Sequence, residues 1–138
     1  MLTKERLENY RGIRNGVTRL EDRLRAKHAQ MERARVRYGD RLHIDRANEE
    51  KRAEAADVAR ELERALRRQR QEAAQIEREV ARVRDCRVRE IIRMRYLEDR
   101  PRSWVEIGRE MGYSERQAQR ILHEWERKNA AKSRKTAG

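Results

Sequence analysis

The 138-residue sequence contains no phenylalanine, a single proline and a single cysteine, and aromatic residues make up only 4% of it. Each shortage excludes something. The lone Cys86 has no partner for an internal disulfide and no cysteine neighbours for a zinc site, while His28, His43 and His123 are scattered without ligand spacing. Hydrophobic residues at 36% against charged residues at 45% leave little material for a thick core, which favours an extended helical protein over a compact globule. No apolar run approaches the roughly 20 residues of a membrane-spanning helix, and MLTKERLENYRG lacks the apolar centre of a signal peptide, so a cytoplasmic protein without membrane association is expected. No strand-like alternation of useful length occurs, which predicts an all-α chain. Paired carboxylates, a glycine-rich phosphate loop and a Ser/His/Asp set are also missing, so neither catalysis nor a cofactor or small-molecule substrate is expected.

What is abundant is positive charge. Lys and Arg number 37 against 25 Asp and Glu, a net charge of +12, which favours a polyanionic partner. The first part of the chain repeats apolar positions at alternating steps of three and four: Tyr10, Ile13, Val17, Leu20, Leu24, Lys27, Met31, Ala34 and Tyr38. That seam predicts a helix from about residue 3 to about 38, weakened near Gly12 and Gly16 by about 1 kcal/mol each, with fraying there. Gly39-Asp40 is expected to stop it, and Asp45 to cap the next. A second seam follows through Ala55, Ala59, Leu62, Leu66, Gln69, Ala73, Ile76, Val80 and Val83. Two long helices joined by a short corner predict an antiparallel, coiled-coil-like hairpin over residues 1–84. Its alanine-rich seam suggests pairing with a second copy, a homodimer of four helices.

Residues 85–127 differ in kind. Four of the six aromatic residues fall here, as a small compact core requires, and a domain boundary near Asp85 follows. Asp85 is expected to cap a helix with Val88, Ile91, Ile92 and Tyr96 on its inward face. The stretch SWVEIGREMGYSERQAQRILHEW then carries the same start signal twice. Ser103 with Glu106 opens a helix bearing Trp104, Ile107, Gly108 and Met111; Ser114 with Gln117 opens another with Ala118, Ile121, Leu122 and Trp125 inward. Gly112 marks the corner between them, and a small residue, Gly108, stands where the backbones approach. This is the pattern of a helix-turn-helix.

The second of these helices turns Glu115, Arg116, Gln119, Arg120 and His123 outward, with Arg127 further along. Arginine can clamp guanine O6 and N7, and glutamine adenine N6 and N7, in a major groove wide enough to admit a helix; Ser114 and the helix start suit a phosphate. Glu115 is either a partner of the helix dipole or a cytosine reader, and His123 either touches a phosphate or is simply exposed. Residues 128–138, with Lys128, Lys132, Arg134 and Lys135, read as a disordered basic tail adding unspecific phosphate attraction.

The stretch VREIIRMRYLEDRPRSWVEIGREMGYSERQAQRILHEW resembles the region 4 helix-turn-helix of sigma-70 family factors: a helix ending in an RY-L pair, an EIG helix, and a recognition helix starting near YS. The tryptophan before the second helix and the YS-x-R-Q start are more similar to phage and prophage regulators of the RinA and ArpU type. That resemblance spans about residues 85–127. It implies an activator of late phage genes in a bacterial host cell, working with host RNA polymerase on double-stranded DNA, with Arg116, Gln119, Arg120 and His123 at base- or backbone-contacting positions. Two other functions fit the layout of the chain: the DNA-recognition subunit of a phage terminase, and a structural coiled-coil adaptor.

Overall fold

The computed structural model describes residues 1–38 and 46–137, and among these the chain is all-helical. Its helices are α1 (Lys4–Tyr38), α2 (Arg46–Ala81), α3 (Cys86–Ile92), which runs on into one π-helical turn (Arg93–Leu97), α4 (Trp104–Met111) and α5 (Glu115–Ala137). The stop expected at Gly39-Asp40 and the cap expected at Asp45 lie outside the described residues, as do the side chains of Ala34, Tyr38 and Lys135. No helix among the described residues is long and apolar enough to cross a membrane.

The chain divides into two compact units, Met1–Ile13 with Glu72–Gly138, and Arg14–Gln71. In the second unit, α1 and α2 run antiparallel. Glu21 pairs with Arg70 at 2.8 Å and His28 faces Glu63 at 3.8 Å, so partner numbers fall on α2 as they rise on α1. Val17, Ala59 and Leu66 are buried between them, whereas Leu20, Leu24, Met31 and Leu62 are only half-buried. Both interior glycines of α1 sit in unbroken helix, and Gly16 has a packing role that propensity alone does not suggest. A side chain there would run into Gln69 Oε1, so the glycine makes room for the one polar residue of the second seam. That Oε1 is buried without a hydrogen-bond partner.

In the first unit the start of α1 packs against the end of α2. Arg6 pairs with Glu79 and the Tyr10 hydroxyl donates to Glu77, again antiparallel. Behind these contacts Leu2, Leu7 and Tyr10 join Ala73, Ile76 and Val80 of α2 in one core with Val88, Ile91, Ile92, Met94, Ile107, Ala118 and Leu122. The boundary expected near Asp85 therefore runs through a shared core, and residues 1–84 and 85–127 are not the compact units. The reason is size: chains as short as residues 85–127 bury too little surface to be stable without help, and here the ends of two long helices supply the missing wall.

Local signals set the short helices. Asp85 caps α3, its Oδ1 accepting from Arg87 N at 2.9 Å and its other carboxylate oxygen lying 3.1 Å from the Arg87 guanidinium. That hydrogen bond holds the Asp85 carboxyl below its ordinary value. At the other end the Glu98 amide reaches back five residues to Arg93 O at 3.0 Å, closing the π turn. The extra residue changes the inward face: Met94 is buried, and Tyr96, expected beside Ile92, is half-buried instead. Arg11 of α1 fastens the turn by donating to Glu98 O at 3.0 Å and Arg95 O at 3.4 Å. Burial, with Glu126 and Glu8 nearby, pushes the Tyr96 hydroxyl up to about 12.

Residues 128–137, expected as a disordered tail, continue α5 to Ala137. Nothing in KNAAKSRKTA breaks a helix, since alanine, lysine and arginine are all good formers. Asn129 Nδ2 also donates to Leu2 O, which ties this part of α5 to the start of the chain.

Candidate nucleic-acid interface

The two start signals in SWVEIGREMGYSERQAQRILHEW both operate. Ser103 Oγ accepts from Glu106 N at 3.2 Å to open α4. Ser114 Oγ accepts from Gln117 N at 3.2 Å while Gln117 Oε1 accepts from Ser114 N at 2.9 Å, a complete reciprocal capping box at the head of α5. Between them Gly112 takes the left-handed conformation at φ 74°, and Gly108 O receives the amide of Tyr113 at 2.8 Å. Gly108 is the contact point of the corner: a Cβ there would stand 2.6 Å from Tyr113 O and 3.3 Å from Ser114 C. With Ile107, Ala118 and Leu122 buried beneath, α4 and α5 form the helix-turn-helix expected.

The approach to α4 is braced by cations turned inward. Arg95 lies over the Trp104 ring at 5.0 Å and donates to Arg102 O at 2.9 Å. Arg102 in turn pairs with Glu98 at 2.7 Å. These arginines hold the Glu98–Ser103 link. Such stacking adds about 0.5–1 kcal/mol at an exposed site and fixes the half-buried tryptophan that begins α4.

The outward face of α5 brings most of the expected residues together. Arg116, Gln119, Arg120, His123 and Arg127 line one shallow groove, with Glu124 among them. Spacings of three and four put them on a single stripe. Arg116, Arg120, His123 and Arg127 are exposed, whereas Gln119 sits at the edge of the stripe and is half-buried. Ser114 and Glu115 precede the groove: the serine is engaged in its cap, with its hydroxyl hydrogen still able to donate, and the glutamate is exposed in the first turn. Donor chemistry does not point to Glu124, although helical spacing from Arg120 alone places it on the stripe. Its charge opposes a polyanion and narrows what the groove accepts.

Lys128 and Lys132 do not trail behind α5. They line a different cleft, on the flank of the helix, together with Arg82, Arg84 and Arg87 from the corner between α2 and α3. Arg134 is exposed further along α5. Among the described residues no group of three His, Cys, Asp or Glu is placed to hold a metal ion. No family of known proteins, no curated protein and no solved structure matches the chain.

Proposed function

We propose that the protein is a sequence-specific, double-stranded-DNA-binding transcription regulator that lays α5 in the major groove. The observation that carries this reading is the groove of Arg116, Gln119, Arg120, His123 and Arg127 on a helix whose start is held by a capping box and a glycine contact. A helix so held presents its first turns to base edges, and two exposed arginines there suit guanine. The net charge of +12 supplies the unspecific attraction that such recognition needs. The resemblance of residues 85–127 to late phage regulators extends the proposal to activation with host RNA polymerase. The half-buried Leu20, Leu24, Met31 and Leu62 favour a homodimer through the Arg14–Gln71 unit; if two copies of α5 reach one face of the duplex, half-sites lie about one helical turn, or a multiple of it, apart.

The test is a titration of the parent protein and of Arg120→Ala and Gln119→Ala against a duplex selected from a random pool and a scrambled one, at one salt concentration. Each lost base contact is expected to cost about 1–3 kcal/mol on the selected duplex and almost nothing on the scrambled one. Arg120, exposed on the stripe where Gln119 is half-buried, has the larger effect. Equal losses on both duplexes would remove the claim that α5 reads sequence.

A further inference from the structure

The cleft of about 910 Å³ beside α5 belongs to one compact unit and is walled by the corner between α2 and α3 on one side and by α5 from Ile121 to Lys132 on the other. Two of its three lining acids are paired, and Glu124 is the third. Glu79 is paired with Arg6 and lies 3.5 Å from the terminal amine, and Asp85 is paired with Arg87. Among the described residues Arg82, Arg84 and Lys128 form no ion pair, and Arg82 and Arg84 are exposed. The cleft therefore holds an excess of positive charge that the protein itself does not neutralise. Arg87 also stands beside Tyr113, the residue just before Ser114 and the head of α5.

Resting on the DNA-binding reading above, we infer that Arg82 and Arg84 form, with Lys128 across the cleft, a sequence-neutral seat for the phosphodiester backbone of the duplex that α5 reads. The geometry points to that occupant. The major groove is about 12 Å wide and a helix with its side chains about 10–12 Å across, so a helix facing the groove floor has a phosphate ridge along each flank. Glu124 lines both the reading groove and this cleft, so the two adjoin along one edge of α5. The ridge on that side passes the open cations. Phosphate contacts of this kind fix the register of a protein on the duplex without carrying sequence information.

The experiment compares the parent protein with Arg82→Gln/Arg84→Gln and, separately, Lys128→Gln, on the selected and scrambled duplexes between 50 and 200 mM salt. All three residues are exposed, and circular dichroism checks that each variant keeps its helices. Each lost contact lowers the slope of log affinity against log salt by about 0.9, so the double variant loses about 1.8 and its affinity falls about 12-fold less across that range. Its preference for the selected duplex is unchanged. Lys128→Gln lowers the slope by about 0.9 in the same way. Slopes equal to the parent's for both variants overturn the seat while leaving the reading groove intact. A parent that binds neither duplex at 50 mM overturns the DNA-binding reading itself. A duplex trimmed at the edge of the contacted bases, from which the ridge is missing, is expected to bring parent and double variant to the same slope; a persisting difference on it overturns the backbone as occupant.

Discussion

Replacing Gly108 by alanine sets two opposed effects against each other at one atom. In an open helix the change gains about 0.5–1 kcal/mol, because glycine loses more backbone freedom on folding. At Gly108 the new Cβ meets Tyr113 O at 2.6 Å, with Ser114 C at 3.3 Å and Glu115 N at 3.4 Å, well inside the roughly 3.5 Å of van der Waals contact. These are backbone atoms of a corner pinned by the Tyr113 amide on Gly108 O, so they cannot swing aside as a side chain could. Forcing one methyl group into such a site costs about 1–3 kcal/mol, and the net expectation is a loss of about 1–2 kcal/mol. Gly12 is the internal control: it lies in helix within the same compact unit with nothing within 4 Å of its would-be Cβ, so Gly12→Ala gains about 0.5–1 kcal/mol. Urea unfolding followed by tryptophan fluorescence reads both, since Trp104 and Trp125 belong to that unit. With a slope near 1.5 kcal/mol/M, the midpoints of the two variants should differ by roughly 1 M or more, in opposite directions from the parent. If α5 reads DNA as proposed, displacement of the Ser114 cap should re-aim it, and Gly108→Ala is expected to lose preference for the selected duplex. A Gly108→Ala protein as stable as Gly12→Ala would refute the close approach as the reason for glycine in this corner.

Other expectations follow from the shared core and its polar ties. Leu7→Ala removes a buried side chain from the wall that the start of α1 lends to α3 and α5; it should cost about 2–5 kcal/mol and lower the tryptophan-detected midpoint, whereas an unchanged midpoint would restore an independent domain beyond Asp85. Arg11→Met deletes the donor to Glu98 O and Arg95 O and should cost about 1.5–3 kcal/mol in the same assay, with no loss meaning that water replaces the guanidinium. Tyr96, with its hydroxyl pushed from 10.0 up to about 12, keeps its proton in the folded chain after the unfolded chain has lost it. Its contribution is therefore complete below pH 10 and disappears as pH rises towards about 12. The stability difference between the parent and Tyr96→Phe should shrink over that window, and a difference independent of pH would refute the assignment.

Much of this fold is legible from spacing, and the exceptions share a cause. The seams of threes and fours, the serine caps at 103 and 114 and the glycine corner at 112 are local rules, each settled within a few residues, and the structure follows them. Gly16 was unreadable as more than a weak helix position because its reason, Gln69, lies on the other long helix. The boundary near Asp85 rests on a change in composition, but Ile76 and Val80, which precede that change, pack into the core formed beyond it. On α5, Arg116, Arg120, His123 and Arg127 were legible from helical periodicity. The cleft lined by Lys128 and Lys132 was not, because its opposite wall comes from Arg82 and Arg84, far earlier in the sequence.

The π turn at Arg93–Leu97 bears on ancestry and alignment. A helix that closes five residues back instead of four accommodates one extra residue without breaking, and everything beyond it is rotated by about a third of a turn relative to an uninterrupted helix. Relatives lacking that residue would carry the α4–α5 pair on a plain α-helix and align with this chain only if a single-position gap is admitted between Ile92 and Glu98. In any relative that keeps it, the buried residue of this turn should be the counterpart of Met94 rather than of Tyr96.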